Sequence, residues 1–457
     1  MKICVICGQK FHALRLFRLG AILTLMQLRQ LPTLLRLLFD HRVTKVPRRV
    51  FRQLRKEGRL RGGVRDKLSR SLWHRLTILR HLLRWLDGER ITRHGNRWVL
   101  NTFLPPFPSP AFDRLFTNQL YERTYTPVSA YLAVTARCPA NCWHCSLKNR
   151  TDTELPLDVW LRTIDGLHKI GASIFGITGG EPLQRTDLAE IIRAITTGGG
   201  EAMLFTSGIG FDTARANELA NAGLWAICVS LDRTDKHEFE QLRNIPNAIE
   251  TAENALTIAK KAGLYVCVNC VADRQAVSTG LYRKLHEKSQ RLGVDEFRLV
   301  EPMPCGRLAD ADANAENTPF LTPELVREVR RFHRETNQKG KRNSPKVCAF
   351  NEIESPELFG CAGGTRHLFI DSAGEVCPCD FTPLSFGNVA EESIDVIWDR
   401  MTSAMKHPRR HCMIQHHTAL FREATRERTP APLEVSLRTA AMLPDEELPD
   451  FVRWIDT

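Results

Sequence analysis

Thr135-Ala136-Arg137-Cys138-Pro139-Ala140-Asn141-Cys142-Trp143-His144-Cys145 places three cysteines at a C-x3-C-x2-C spacing. It directly follows an apolar, strand-like run, Val128-Ser129-Ala130-Tyr131-Leu132-Ala133-Val134. Three thiolates on one short loop can converge on a metal centre. A tetrahedral zinc site wants four protein ligands, or three plus water. An iron–sulfur cube usually takes four. Only His144 stands nearby as a further donor, so the loop points to a cluster with one iron left open for a substrate or cofactor. A zinc knuckle or reduced core thiols are the plainer alternatives.

Downstream comes Phe175-Gly176-Ile177-Thr178-Gly179-Gly180-Glu181-Pro182, a strand running into a Gly-Gly-Glu-Pro turn. Glycines let a backbone approach a ligand closely. Together, Cys138, Cys142, Cys145, the aromatic-type residue His144 before the last cysteine, and this turn resemble the signature of the radical S-adenosylmethionine (radical SAM) superfamily. The resemblance implies a 4Fe–4S cluster on the three cysteines, with SAM on its open iron. It gives Gly179, Gly180 and Glu181 the amino group of SAM's methionine moiety. It implies reductive cleavage of SAM to a 5′-deoxyadenosyl radical that abstracts hydrogen from an unreactive C–H bond.

The chain around these motifs alternates apolar runs with helical periods. Strands are expected at 129–135, 173–178, 202–206, 226–231, 264–270 and 296–301, with helices between them. Such alternation predicts a parallel sheet covered by helices. The family's fold is a partial (β/α)6 barrel, placed here at residues 121–310. Ligands of parallel α/β sheets collect at the C-terminal strand ends, and the conspicuous polar residues fall there. Phe205-Thr206-Ser207-Gly208 resembles a Thr-Asn-Gly turn of the superfamily, which makes Ser207 a candidate. Ser230, Asp232 and Asn269 are candidates for contacts to SAM, and Arg243 for its carboxylate. Pro304-Cys305-Gly306-Arg307 resembles a Pro-x-Gly-Arg element of the same enzymes. Cys228, Cys267 and Cys270 read as small buried apolar groups.

Cysteines return at Cys348, Cys361, Cys377, Cys379 and Cys412. Ile370-Asp371 and Glu375-Val376 read as strands joined by a hairpin turn. Cys361-x12-Gly374-x4-Cys379 resembles the opening of the SPASM/twitch extension of radical SAM enzymes, placed at residues 311–417. The extension's later cysteines are matched only by Cys412. The resemblance therefore implies one auxiliary 4Fe–4S cluster on Cys361, Cys379 and Cys412, with Cys348 or Cys377 as the fourth ligand. A structural zinc is the rival. Asp380 resembles the residue that accepts a substrate proton in sulfatase-maturating relatives. Residues 418–457 read as a tail or small capping helix.

The basic character lies elsewhere. Residues 1–100 hold 24 Lys and Arg against 5 Asp and Glu, a balance of +19, while the whole chain is +12, so the cysteine-bearing part is net acidic. Residues 1–120 read as a basic helical region: Phe11–Arg29, a continuation through Leu34–Phe39, an Arg-rich series from Arg48 to Arg65, and a Pro-rich linker, Pro105–Pro110. Such a region suits an anionic membrane surface or a solvated face. Nucleic acid is not expected, for no nucleic-acid module accompanies the charge. Cys4 and Cys7 form a Cys-x2-Cys pair without a nearby partner pair. Fourteen cysteines in 457 residues are too sparse for a disulfide scaffold and suit metal chemistry in a reducing compartment. No secretory signal or transmembrane run is expected. The resulting expectation is a cytoplasmic radical SAM oxidoreductase, peripheral at the membrane surface. Its substrate would be a peptide, or a lipid-like or cofactor-precursor molecule. Its electrons would come from a low-potential flavodoxin- or ferredoxin-type donor. The alternatives are a zinc-binding nucleic-acid adaptor and a radical SAM enzyme acting on tRNA.

Overall fold

The computed structural model describes residues 36, 39–56, 86 and 88–456, apart from 123, 149, 152, 314 and 342. Cys4 and Cys7, the Phe11–Arg29 segment and the arginines from Arg59 onward in the basic series lie outside the described residues. After the basic helix His41–Lys56 comes a two-stranded antiparallel hairpin, β1 (Thr92–His94) and β2 (Arg97–Val99). Six parallel strands follow in sequence order: β3 (Ser129–Ala133), β4 (Ile174–Thr178), β5 (Glu201–Thr206), β6 (Ala226–Ser230), β7 (Tyr265–Val271) and β8 (Glu296–Val300). They are nearly all buried, as strands covered on both faces must be. Helices Leu157–Lys169, Leu188–Thr197, Thr213–Asn221, Ala248–Lys261 and Leu281–Arg291 cover the outer face. Trp160, Ile164, Leu167 and Ile191 fill the layer between helices and sheet. Several helix starts are fixed by side-chain caps, as where Asp212 accepts from the Arg215 amide at 2.7 Å.

The C-terminal module shares this sheet. β9 (Lys346–Ala349) pairs with β8 at one edge, and β10 (His367–Ile370) pairs with β3 at the other, both parallel. β11 (Val376–Cys377) completes the hairpin antiparallel to β10. Its turn is held by Asp371, whose Oδ1 accepts from the amides of Ala373 and Glu375 at 3.0 Å each. The result is an open nine-stranded sheet, a partial barrel whose two edges are both extended by residues beyond 310. Residues 418–456 hold three helices, Thr418–Ala424, Leu433–Met442 and Asp450–Asp456, anchored by buried Phe421 and Val452. Their anchors are too sparse to give the sequence a readable period.

The Pro-rich stretch 105–110 is not a free linker. Trp98 and Phe107 exchange backbone hydrogen bonds at 2.7 and 2.8 Å. The hairpin inserts Val99 into a cluster with Met203, Trp225, Tyr265 and Cys267, the barrel's inner face. Charges below lock it there. Lys346 Nζ donates to the Val99 and Leu100 carbonyls at 2.8 Å each, and Glu296 accepts from the Thr102 amide at 3.2 Å. Lys346→Ala strands two buried carbonyls. It is expected to cost about 2–4 kcal/mol, read by chemical denaturation, with faster amide exchange over residues 92–107.

Candidate active site

The cysteine loop leaves the C-terminal end of β3 and is held from three sides by backbone. The Thr135 and Arg137 carbonyls accept from the Gly180 and Glu181 amides at 2.7 Å each. The Asn141 and Trp143 amides donate to the Arg243 and Leu242 carbonyls at 3.0 and 3.1 Å. The Arg307 amide donates to the Cys145 carbonyl at 3.0 Å. These contacts explain the glycines. Gly179 has φ +135°, and a Cβ on it would overlap the Thr135 backbone, while one on Gly180 would overlap the Arg137 carbonyl. The Gly-Gly-Glu-Pro glycines thus permit the turn to meet the cysteine loop itself.

Glu181 is fully engaged. Its Oε1 accepts from Thr206 Oγ1 at 2.6 Å and the Leu183 amide at 3.2 Å; its Oε2 accepts from the Ser207 amide at 2.8 Å and Ser207 Oγ at 2.6 Å. A carboxylate has about four lone-pair sites, so Glu181 is a strut between β4 and β5, and Ser207 holds that strut. Arg243 is braced too. Its Nε donates to Asp232 Oδ2 at 2.8 Å, its Nη1 approaches Cys142 Sγ at 3.6 Å, and Asp232 Oδ1 accepts from the Val271 amide at 2.8 Å. The pair is buried beneath the cysteine loop.

Polar atoms of the same cavity without a hydrogen-bond partner include His144 Nδ1 and Asn269 Oδ1, with Arg150 Nε, Arg298 Nε and Asp371 Oδ2. Ser230 pairs with Asn269 across β6 and β7 and lines the cavity beside it. Burial holds His144 neutral by pushing its imidazole down to about 3, and raises Cys138 to about 11. The loop's thiols therefore shed protons on taking up metal. The donor set and the open polar atoms fit a cluster with SAM beside it.

A second set of thiols gathers across the cavity. Burial raises Cys361 (to about 12), Cys379 and Cys412, and the charge of Glu354 raises all three further. Cys348 is not among them. It lies in β9, where its charged neighbours are Glu296, Glu89, Arg298 and Lys346 of the barrel-bottom network. Cys377 is turned to Arg150, whose Nη1 donates to its Sγ at 3.7 Å, and packs with Ala133 and Phe369. The neighbours that strand register gives Cys348 and Cys377 are thus the barrel charges and Arg150. Sequence reasoning passed over Glu354, whose carboxyl is pushed up to about 8 by burial and by Asp380 and Glu301. It also passed over Cys305, a buried thiol whose neighbours include Cys145, Arg150 and Asp380.

Asp380 lines the cavity beside Cys379. Its Oδ1 lies 3.3 Å from Cys379 Sγ and 3.8 Å from His367 Nε2, while His367 Nδ1 and Ser129 Oγ are 2.8 Å apart. A tetrahedral zinc, with Zn–S about 2.3 Å, draws its sulfurs to about 3.8 Å from one another. Among the described residues, the set whose donor atoms all fall within 4.8 Å is His367, Cys379 and Asp380. Neither cysteine trio is that tight, and the wider spread suits a larger cluster. One cavity of about 1350 Å³ joins the two, lined by Cys138, Cys142 and Cys145 at one end and Cys379, Asp380 and Glu354 at the other.

This arrangement has known counterparts. Residues 132–274 match the radical SAM superfamily, and residues 361–425 match SPASM, an iron–sulfur cluster-binding domain. The chain is 27% identical over 282 residues to the AdoMet-dependent heme synthase of Methanosarcina barkeri, covering 58% of this chain and 80% of that relative. It is 28% identical over 309 residues to the PqqA peptide cyclase of Granulibacter bethesdensis, covering 63% and 79%. Streptococcus suis SuiB, solved bound to precursor peptide SuiA, shares the fold with a TM-score of 0.50 at 16% identity, over 63% of this chain and 67% of that one.

The chain thus carries a radical SAM domain at residues 132–274 and a SPASM domain at residues 361–425, the domains of a radical SAM enzyme. Its cofactors are a 4Fe–4S cluster with SAM and an auxiliary iron–sulfur cluster. The nucleic-acid adaptor reading falls with this assignment. No helix among the described residues is long and apolar enough to cross a membrane.

Asp232→Ala leaves the Arg243 guanidinium buried without its anion. It is expected to lower stability by about 3–5 kcal/mol. The loss should show as a lower denaturant midpoint and as less iron per chain after anaerobic reconstitution.

Proposed function

We propose that the enzyme abstracts hydrogen from a flat, carboxylate-bearing cofactor precursor of the tetrapyrrole class. The observation that carries this reading is the cavity. Ligand pockets usually span about 300–1,000 Å³, and 1350 Å³ leaves room for SAM together with a second large ligand. Its walls include Phe103, Phe112, Phe116, Phe205, Phe350 and Phe381, rings that stack on a flat macrocycle. Arg150 and Arg298 line it as well and suit carboxylates, which guanidinium groups bind in a forked geometry. The relatives named heme synthases are consistent with such a substrate.

When bound, the reduced cluster and SAM supply a 5′-deoxyadenosyl radical for hydrogen abstraction. The chain's own part is placement and proton handling. Cys138, Cys142 and Cys145 hold the first centre, and Asn269, Ser230 and His144 offer polar contacts to SAM. Asp380 stands at the far end of the cavity as the acceptor of a substrate proton, with His367 Nε2 3.8 Å from it. The aromatic walls keep water from the reacting centre. Electrons come from a low-potential flavodoxin- or ferredoxin-type donor, and the basic residues 1–100 face an anionic membrane surface.

The test is anaerobic reconstitution followed by titration with carboxylated porphyrins and with peptides. The expected result is a shifted porphyrin absorption band and a rise of about tenfold or more in 5′-deoxyadenosine formation with the porphyrin. Stimulation by peptides alone, with no porphyrin binding, contradicts the reading and favours a peptide substrate.

A further inference from the structure

Along β8, Phe297 and Leu299 pack outward into the helix-covered core, so Glu296 and Arg298 face the barrel interior. Arg298 is only 3% exposed, lines the main cavity, and has no hydrogen-bond partner at Nε. Its Nη1 donates to Thr102 Oγ1 at 2.5 Å, and that hydroxyl donates in turn to Glu296 Oε1 at 2.5 Å. The Glu296 carboxylate also accepts from the Thr102 amide and the Tyr265 hydroxyl, at 3.2 Å each. Among the described residues, no carboxylate forms an ion pair with Arg298. Its Cζ lies 4.4 Å from the centroid of the Phe103 ring and 5.3 Å from that of Phe205, two rings of the cavity wall. An arginine stays charged in a protein, and buried charges are normally paired. A ligand anion completes such a site. Its position is fixed by register: Ser230 pairs with Asn269, and Asn269 with Arg298, across β6, β7 and β8. All three line the cavity. Neighbouring strands stand about 4.8 Å apart, so the guanidinium springs from the strand next to Asn269.

We propose that Arg298 anchors a carboxylate of the substrate beside the SAM contacts, and that Thr102 and Phe103 position it. This deepens the reading of the cavity as the seat of a carboxylate-bearing substrate and rests on it. It names the group that holds the anion and what aims that group. Arg150 is the rival. Its Nε is unpartnered as well, but its Nη2 donates to the Asp380 carbonyl at 2.7 Å and its Nη1 to Cys377 Sγ at 3.7 Å. At Arg298 a hydroxyl and two rings orient the fork and leave its Nε edge for a ligand. Thr102, Phe103 and Arg298 all lie outside residues 132–274 and 361–425, which match the two family domains. Substrate selection is thus built into the segment that follows the β1–β2 hairpin. SAM carries a carboxylate too, and the test separates the two sources.

The full-length chain is reconstituted anaerobically. A porphyrin bearing free carboxylates, and the same porphyrin as its amide, are titrated by absorption, and SAM is titrated separately by equilibrium dialysis. The parent is expected to favour the acid over the amide. Arg298→Gln is expected to weaken binding of the acid by roughly 10- to 100-fold, and of the amide far less. Arg298→Lys keeps a charge but not the fork and is expected to fall between parent and Arg298→Gln. Thr102→Val removes the hydroxyl alone and is expected to lower the preference for the acid in the same direction. That variant is readable should Arg298→Gln fold poorly. Equal losses for acid and amide mark a structural role and overturn the proposal. Loss of SAM affinity with porphyrin affinity kept gives the arginine to SAM's carboxylate and overturns it as well. A parent that binds no porphyrin refutes the tetrapyrrole reading, a different failure. The anchor is then read from 5′-deoxyadenosine formation with amidated peptides carrying either Glu or Gln, and equal stimulation by the two overturns it.

Discussion

The ion pair between Asp232 and Arg243 is the point from which the active site hangs. Buried charges are tolerated only when paired and hydrogen-bonded, and here both partners are. Asp232 takes the Val271 amide at the end of β7 and the guanidinium of Arg243 at the end of the helix Lys236–Arg243. That same helix end accepts the Asn141 amide, and the guanidinium reaches Cys142 Sγ at 3.6 Å. One pair thus joins two barrel strands, a helix end and the cysteine loop. The loop's backbone is thereby tied to the barrel.

The sheet then dictates where the second centre sits. β10 adds to β3, the strand that feeds the cysteine loop, so the hairpin carrying Cys379 and Asp380 is held beside that loop. β9 adds to the opposite edge, and the short helix after it carries Glu354 to the cavity wall. Both edges of an open barrel are used to enclose one cavity at the C-terminal strand ends, where such sheets hold their ligands. From below, the β1–β2 hairpin seals the barrel with Val99, and the segment after it lends Phe103, Phe112 and Phe116 to the cavity wall.

Much of this was legible in the sequence, and the reasons are physical. Doubly covered parallel strands must be continuously apolar, so runs such as Ala226-Ile227-Cys228-Val229 announced six strands in their right places. Cys138, Cys142 and Cys145 are close in sequence, and local spacing suffices to show convergence. What failed to show were partnerships set by long-range register. Counting cysteines nominated Cys348 and Cys377, and no local pattern tells that β9 sets the first among Glu296, Glu89 and Arg298 and β11 sets the second against Arg150. No local pattern around Glu181 tells that Thr206, Ser207 and Leu183 saturate it. The Pro-rich stretch suggested a spacer by composition, whereas its rigidity suits a packed wall. Glu354 carries no spacing signal at all; its one hint is an acid set between Phe350, Ile353 and Phe359.

The central claim is that three cysteines on a barrel-held loop leave one iron open and that SAM occupies it. Electron–nuclear double resonance on the reduced protein, with SAM labelled by 15N in its amino group and 17O in its carboxylate, reads this directly. Hyperfine coupling from both labels to the cluster is predicted, and it should vanish in Cys142→Ala. A well-formed cluster that shows coupling to neither label would contradict the account.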